Sequence, residues 1–160
     1  MPIKVGDRLP AATFRVMTAE GPKPRTTDEV FKGKKVALFA VPGAFTPTCT
    51  NLHMPSFLNN IGGFKAKGVT VAVTAVNDAF VMKAWGDKTG ATDKIELLAD
   101  GSGDFAKAID LTLDASANGL GIRSKRYSMV VDDGVVKSLN IEEAPGKCEL
   151  TNGQKLLEQI

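Results

Sequence analysis

Two near-continuous apolar runs, KVALFAV at 35–41 and VTVAVTAV at 69–76, constrain the fold of this chain more than any other feature. Apolar runs that do not alternate with polar residues are typical of strands buried on both faces, as in parallel sheets. A helix-like segment follows each run, at 49–64 and at 78–88. Two successive strand–helix units predict an α/β domain with a parallel core.

The rest of the chain adds elements of another kind. The pattern predicts a short strand at 95–99, a short helix at 103–109, strands at 127–131 and 135–139, and a last helix at 151–159. Asp133 and Gly134 stand between the last two strands, and this pair is typical of a tight hairpin because glycine accepts a positive φ. Pro22 and Pro24 indicate a loop near the N-terminus. We therefore expect a thioredoxin-like α/β fold, with a central mixed β-sheet flanked by helices.

Length and charge narrow the class of protein. A chain of 160 residues predicts a single domain, 1–160. The net charge is +2 and the basic residues are scattered, which argues against a nucleic-acid partner. The N-terminal stretch MPIKVGDRLP lacks the apolar core of a signal peptide, and no apolar run is long enough to span a bilayer. We therefore expect a cytoplasmic protein without a membrane partner, whose two cysteines stay reduced.

One of the two cysteines lies in the segment VPGAFTPTCT at 41–50, between the end of a strand and the start of a helix. Sites in open α/β sheets form at the carboxyl ends of strands. Unpaired N–H groups and the dipole at a helix start stabilise a thiolate, the nucleophilic form of cysteine. Pro42 and Pro47 stiffen the loop, and Gly43 lets a backbone N–H approach a ligand closely. Cys49 is thus a candidate nucleophile, and the alternative is a buried, unreactive thiol.

Three residues close to Cys49 in sequence lead to further predictions. The Thr46 hydroxyl can bridge the sulfur and a substrate oxygen, or it can cap the helix. His53 lies four residues after Cys49 and so on the same helix face. The residues alone favour His53 as a partly exposed, hydrogen-bonded helix residue, and a role in shaping the pocket stays open. Pro55 predicts a kink, because proline cannot donate a hydrogen bond to the carbonyl of Asn51.

Other chemistries fit these residues poorly. A dithiol exchange motif needs Cys-x-x-Cys, and Thr46 stands where the first cysteine would be. A structural zinc site needs about four ligands, and the chain offers Cys49, Cys148 and His53 with carboxylates at no ligand spacing. Phosphate-loop and dinucleotide glycine patterns are absent. We expect no metal and no cofactor.

Four segments together resemble the peroxiredoxins. PGAFTPTC at 42–49 is similar to the family signature of a proline, a threonine or serine, and the peroxidatic cysteine. CTNLHMPSF at 49–57, VNDAF at 76–80 and RYSMVVDDGVV at 126–136 resemble the type II or atypical group, the Prx5 subfamily. The resemblance implies a thioredoxin fold and a thiol peroxidase that contributes to cell redox homeostasis. Such an enzyme reduces hydrogen peroxide and alkyl hydroperoxides through a cysteine sulfenic acid, without a metal or an organic cofactor.

The resemblance also implies roles, residue by residue. Cys49 matches the peroxidatic nucleophile, and Pro42 and Thr46 match its loop. Arg126 matches the active-site arginine of the family, and Arg123 is a nearby competitor for that role.

A pocket and a dimer are further implications of the resemblance. Gly43, Phe45 and His53 are expected to line the pocket. Relatives in this subfamily commonly pair beside the active site, which implies a homodimer. Phe45 and Trp85 are the candidate apolar contacts for it, and the alternative is that both are core residues.

Regeneration of the cysteine is the most open part of the prediction. Some relatives carry a resolving cysteine in the C-terminal loop, and Cys148 lies in that loop. A disulfide needs Cα atoms within about 7 Å, so the helix at Cys49 would have to unwind. We favour an external thiol, from glutathione, glutaredoxin or thioredoxin, with Cys148 auxiliary. Two alternatives to an enzyme stay open: a peroxide sensor that relays oxidation, and a non-catalytic binding module.

Overall fold

The computed structural model describes residues 1–160, and most of its strands belong to one mixed sheet. The strands are β1 (Thr13–Thr18), β2 (Gly21–Thr26), β3 (Lys35–Ala40), β4 (Thr70–Ala75), β5 (Glu96–Ala99), β6 (Thr112–Asp114), β7 (Ile122–Ser124), β8 (Tyr127–Asp132) and β9 (Val135–Ile141). The helices are α1 (Thr27–Phe31), α2 (Met54–Leu58), α3 (Ile61–Ala66), α4 (Ala79–Thr89), α5 (Asp104–Ala108) and α6 (Gly153–Glu158). A π-helical segment at Cys49–His53 directly precedes α2, and a 3₁₀ turn occupies Ser116–Asn118.

Seven strands form the sheet in the order β2-β1-β5-β4-β3-β8-β9. The pairs β3–β4 and β4–β5 are parallel, as the two strand–helix units predict. The pairs β3–β8, β8–β9, β1–β5 and β1–β2 are antiparallel. The prediction of a central mixed sheet flanked by helices is confirmed, and β6 and β7 form a separate two-stranded ribbon that was not predicted.

The continuous apolar run at β3 has a simple cause. Ala37 and Phe39 pack into a cluster on one face of the sheet, beneath α2, α3, α4 and α6. Val36 and Leu38 pack into a second cluster on the other face, which includes buried residues of α1 and α5. Both faces of the strand are buried, so no position favours a polar side chain.

Trp85, the one tryptophan of the chain, belongs to this core. Its side chain is fully buried, and its Nε1–H donates to the Thr50 hydroxyl at 3.0 Å. The prediction of Trp85 as a dimer contact is therefore wrong, because α4 turns this side toward the sheet. Phe80, at the start of the same helix, is 66% exposed instead.

The N-terminal hairpin is a second correction. Pro22 and Pro24 lie within β2, paired with Met17 and Arg15 of β1, and not in an irregular loop. Because β2 is an edge strand, a proline there can leave a ladder hydrogen bond unmade without breaking the sheet. The predicted C-terminal hairpin is confirmed: β8 pairs with β9.

The helix that carries Cys49 differs from the predicted helix at 49–64. It begins at Pro47 and breaks after Leu58. Asn60 causes part of the break, because its side-chain amide donates to the Ser56 carbonyl at 2.7 Å and competes with helix hydrogen bonds.

The kink expected at Pro55 takes the form of the π-helical segment just before it. Here the N–H of Met54 donates to the carbonyl of Cys49, five residues back. The wider turn accommodates a proline that has no N–H of its own to donate.

The C-terminal helix packs directly on the backbone of α2 at Gly153. A Cβ at this position would lie 2.5 Å from the Ser56 carbonyl oxygen and 2.8 Å from Phe57 Cα. Both contacts are backbone atoms, which cannot rotate away.

We predict that Gly153→Ala lowers the free energy of unfolding by about 2 kcal/mol, as expected for overpacking. Gly62→Ala is the matched control, because Gly62 lies in α3 and a Cβ added there would meet no atom within 4 Å. Helix propensity should make this control neutral or stabilising by up to about 1 kcal/mol. Urea denaturation measures both, and equal stabilities of the two variants would contradict the packing argument.

Candidate active site

Cys49 lies in the first turn of its helix, just beyond the carboxyl end of β3. The helix begins at Pro47, and the Thr46 carbonyl accepts its first bond, from the N–H of Thr50 at 3.0 Å. The N–H groups of Thr48 and Cys49 have no hydrogen-bond partner in the structure. The Cys49 side chain is fully buried. A free thiol, free backbone donors and the positive end of a helix therefore meet at one point.

Arg126 is the side chain that contacts the sulfur. It stands between β7 and β8, is 2% exposed, and donates from Nη2 to Cys49 Sγ at 3.0 Å. Its Nε and Nη2 also donate to the Pro145 carbonyl, at 3.2 and 3.1 Å. No carboxylate forms an ion pair with Arg126. A buried cation without a counter-ion is costly, and the Cys49 thiol is the one acidic side chain that Arg126 touches.

Arg123, the competitor for that role, lies in β7 and contacts other groups. Its Nε donates to the Leu120 carbonyl at 2.9 Å, and its Nη1 reaches the Pro42 carbonyl at 3.5 Å. The geometry therefore places Arg126 at the sulfur and Arg123 against the loop that precedes it.

His53 is fully buried, and this corrects the expectation of a partly exposed residue. Its ring packs against Phe39 and Phe57, with centroid distances of 4.8 and 5.6 Å. The Nδ1 atom accepts from Arg126 Nη1 at 2.8 Å, and Nε2 lies 2.9 Å from the carbonyl oxygen of Thr151. Burial, and then the charge of Arg126, lowers the pKa of His53 to about 3. The ring is therefore neutral, with its proton on Nε2, where it donates to the carbonyl.

The loop before the helix brings together the other residues predicted for the pocket. Pro42 and Gly43 are buried, and a Cβ on Gly43 would lie 3.1 Å from both Arg123 Nη1 and Thr46 Cγ2. Phe45 is 50% exposed and has a left-handed backbone, with φ of 67°. Such a conformation is uncommon for a bulky residue and is maintained by its surroundings.

Thr46 does not use its hydroxyl to cap the helix. The hydroxyl donates to the Gly43 carbonyl at 2.6 Å and makes no bond to Cys49 Sγ. Its lone pairs stay available, so toward a ligand this hydroxyl acts as an acceptor.

A second loop covers the cysteine from the C-terminal side. Besides the bonds from Arg126 to Pro145, the Thr48 hydroxyl donates to the Gly146 carbonyl at 3.2 Å. Cys148 follows in the same loop and is half-buried. Burial raises the pKa of the Cys148 thiol, although the charge of Arg126 acts in the opposite direction. Both cysteines are free.

Glu142 is a site residue that the sequence did not reveal. Its buried carboxylate accepts the N–H of Leu150 at 2.9 Å, the N–H of Thr151 at 2.9 Å and the Thr151 hydroxyl at 2.6 Å. It thereby fixes the segment whose carbonyl binds His53. A lone glutamate after a strand carries no motif, so only the tertiary structure shows this role.

Two other kinds of site have no candidate in the structure. No group of three or more His, Cys, Asp or Glu side chains is arranged to hold a metal ion. None of the helices is both long and apolar enough to cross a membrane.

Comparison with known proteins gives a consistent family. The Redoxin family profile matches residues 4–157. Peroxiredoxin-2E, chloroplastic, from Arabidopsis thaliana is 47% identical over 146 residues, which are 88% of this chain and 62% of the relative. Peroxiredoxin-2C from Oryza sativa is 42% identical over 161 residues, 99% of either chain.

Solved structures of peroxiredoxins are similar to this chain over nearly its whole length. The crystal structure of reduced Prx3 from Vibrio vulnificus in complex with H₂O₂ has a TM-score of 0.93 and 47% identity, and the match covers 98% of each chain. Peroxiredoxin 5 from Alvinella pompejana has a TM-score of 0.85 and 39% identity, over 98% of this chain and 97% of that one.

The chain therefore belongs to the redoxin family and, within it, is a type II peroxiredoxin, a thiol-dependent peroxidase. This confirms the predicted thioredoxin-like fold and the resemblance drawn from the loop at 42–49. The chain spans 62% of the length of the Arabidopsis relative and almost the whole of the rice one.

The buried, neutral state of His53 predicts a loss of stability in acid. Free histidine has a pKa of about 6.5, so below that pH the unfolded chain binds a proton that the folded protein excludes. The stabilisation is complete above pH 6.5 and falls as the pH drops toward 3. Between pH 7.5 and 5 we expect a loss of about 2 kcal/mol.

His53→Asn isolates this effect, because His53 is the only histidine in the chain. Urea denaturation at several pH values should show the loss in the wild type and not in the variant. Asp100, whose pKa burial raises, titrates in both proteins and cancels in the comparison. An equal loss in both proteins would mean that His53 takes up a proton in the folded state.

Proposed function

We propose that Cys49 is the peroxidatic nucleophile and that hydrogen peroxide and alkyl hydroperoxides are its substrates. The observation that carries the proposal is the 3.0 Å contact from the unpaired, buried guanidinium of Arg126 to the Cys49 sulfur. The thiolate attacks one peroxide oxygen, so an S–O bond forms as the O–O bond breaks. Sulfur is oxidised by two electrons to the sulfenic acid. The other oxygen leaves as hydroxide or alkoxide and takes up a proton to give water or an alcohol.

The loop supplies groups for both ends of the peroxide. Because the Thr46 hydroxyl already donates to Gly43, it accepts the hydrogen bond of the peroxide O–H and orients it. The free N–H groups of Thr48 and Cys49, together with Arg126, stabilise the charge that develops on the leaving oxygen. No metal or organic cofactor takes part in these steps.

Substitutions at Cys49 and Thr46 test the mechanism. Cys49→Ser should abolish peroxide consumption with the fold retained, because no other nucleophile stands at the site. Thr46→Val should slow single-turnover oxidation by about 10²-fold, whereas Thr46→Ser, which keeps the hydroxyl, should stay close to wild type. Stopped-flow mixing with hydrogen peroxide measures these rates. Wild-type rates in Cys49→Ser or Thr46→Val would refute the corresponding role.

Turnover assays of the wild-type protein distinguish a peroxidase from a peroxide sensor. Sustained consumption of peroxide with a thiol reductant supports the peroxidase. Oxidation of Cys49 that stops after one turnover with every reductant would favour the peroxide sensor instead.

We propose that an external thiol, from glutathione or glutaredoxin, reduces the Cys49 sulfenic acid, with thioredoxin as the alternative donor. Two features of Cys148 support an auxiliary role for it. Burial raises the pKa of its thiol, which lowers the thiolate fraction available for attack. Cys49 is also inside a helical turn, which would have to unwind before the two sulfur atoms could bond.

Cys148→Ser tests the reductant. We expect turnover with glutathione and glutaredoxin to persist in this variant. Peptide mass spectrometry of wild type treated with one equivalent of hydrogen peroxide should show little Cys49–Cys148 cross-link. A dominant cross-link, with turnover of Cys148→Ser lost under every reductant, would make Cys148 the resolving cysteine.

We also propose a homodimer that pairs beside the active site. The exposed ring of Phe45 lies on the active-site loop, and that of Phe80 lies at the start of α4. The two elements are joined, because the Asn77 side-chain oxygen accepts the N–H of Ala44 at 3.0 Å. Exposed aromatic rings on linked elements are typical of contact surfaces.

Light scattering at micromolar concentration should give the mass of a dimer. The double variant Phe45→Asp/Phe80→Asp should shift it toward the monomer, whereas Ile122→Asp, an exposed apolar residue of β7, serves as the control. A monomeric wild type would overturn the proposal.

The cytoplasm is the compartment we propose, and residues 1–160 are proposed to act as one domain. Two free cysteines support a reducing environment. Relatives in Arabidopsis include chloroplastic and mitochondrial proteins, so the assignment is specific to this chain and is tested by its localisation as a tagged protein.

A further inference from the structure

Arg126 distributes its hydrogen bonds unevenly. Nε and Nη2 share one acceptor, the Pro145 carbonyl, in a loop outside any helix or strand. Nη2 also reaches Cys49 Sγ, and Nη1 has a single partner, Nδ1 of His53 at 2.8 Å. The bonds to Pro145 alone would let the guanidinium pivot about that carbonyl. The bond to His53 restrains the opposite edge of the group.

His53 and Cys49 belong to the same helical segment, four residues apart. Arg126 therefore spans two side chains of one rigid element, with Nη1 on the histidine and Nη2 on the sulfur. The position of the cation relative to the sulfur is thus set from the helix as well as from the covering loop.

The histidine can accept this bond only in one form. Nδ1 must be without a proton, and the Thr151 carbonyl, 2.9 Å from Nε2, keeps the proton on the other nitrogen. Glu142 in turn fixes the backbone of Thr151 and of Leu150. Because the ring has a pKa of about 3, this arrangement persists at neutral pH.

A neutral acceptor differs from the carboxylate that commonly pairs with a buried arginine. A carboxylate at this position would orient Arg126 but would also compensate its charge. Histidine orients the guanidinium and leaves its charge free to act on the sulfur.

We propose that His53 is a positioning residue, which aims Arg126 at the sulfur of Cys49 through a neutral hydrogen bond and leaves the cation uncompensated. This inference rests on the proposed function of Cys49 and adds to it a residue that touches neither substrate nor sulfur. It accounts for the hydrogen bonds on both ring nitrogens.

Three substitutions at His53 separate the effect of hydrogen-bond geometry from the effect of the acceptor's charge. His53→Asn retains a neutral acceptor close to the position of Nδ1. His53→Asp has the same shape as asparagine and supplies a charged acceptor. His53→Leu removes the acceptor. All are made in the Cys148→Ser background, so that Cys49 is the only thiol.

The readout is the rate of Cys49 alkylation by iodoacetamide as a function of pH, which needs no peroxide. Of the groups around the sulfur, Arg126 stays charged and His53 stays neutral above pH 5, while the background variant removes Cys148. We expect the half-maximal pH of His53→Asn to match the background. His53→Asp and His53→Leu should raise it by about one unit. Circular dichroism verifies that each variant folds.

Each outcome decides a separate point. Identical profiles for His53→Asn and His53→Asp would overturn the argument from charge, and an unshifted His53→Leu would overturn the positioning role. If His53→Leu does not fold, the Asn and Asp pair, which differ only in charge, carries the test. Arg126→Ala is the reference for complete loss of the cation. Failure of the wild type to consume peroxide would reject the proposed function and leave the alkylation result unaffected.

Discussion

The contact between Arg126 and the Cys49 sulfur is the interaction on which the site depends. A guanidinium buried without a carboxylate destabilises the protein unless its donors are satisfied and its charge meets an anion. The fold supplies neutral acceptors for most of the donors, from Pro145 and from His53. The Cys49 thiol is the one group in contact with Arg126 that can become an anion. Under the proposed function, stability and reactivity therefore oppose each other at this point, because the charge that activates the sulfur is also a cost to the fold.

Elements distant in sequence converge to hold this contact. The parallel strand β3 delivers the cysteine loop, and the antiparallel strand β8 next to it begins directly after Arg126. The C-terminal segment closes the arrangement, since Glu142 fixes the carbonyl that holds His53 and α6 packs on α2 through Gly153. A perturbation in the last 20 residues is thus transmitted to the sulfur through backbone contacts and through three hydrogen bonds, between Thr151 and His53, between His53 and Arg126, and between Arg126 and Cys49.

Local signals in the sequence were sufficient for the central strands and for the hairpin at Asp133-Gly134, because burial on both faces and positive φ each select particular residues. The loop motif indicated Cys49. The features that the sequence did not predict depend on tertiary context. Two prolines close together indicate a loop until the strand that holds them is known to lie at an edge.

Likewise, spacing cannot choose between Arg123 and Arg126, since both lie just before the same strand; the resemblance selected Arg126, and the geometry places it at the sulfur. The burial of His53 depends on packing against Phe39 of β3, which is distant from the histidine in sequence.

The hydrogen bond from Trp85 to Thr50 has a consequence of an optical kind. Because the chain has a single tryptophan, and its indole is bonded to the residue next to Cys49, the native fluorescence of this protein is a built-in monitor of that helical turn. Unwinding of the turn would break the indole bond and change the emission, so any opening of this turn becomes visible without a label.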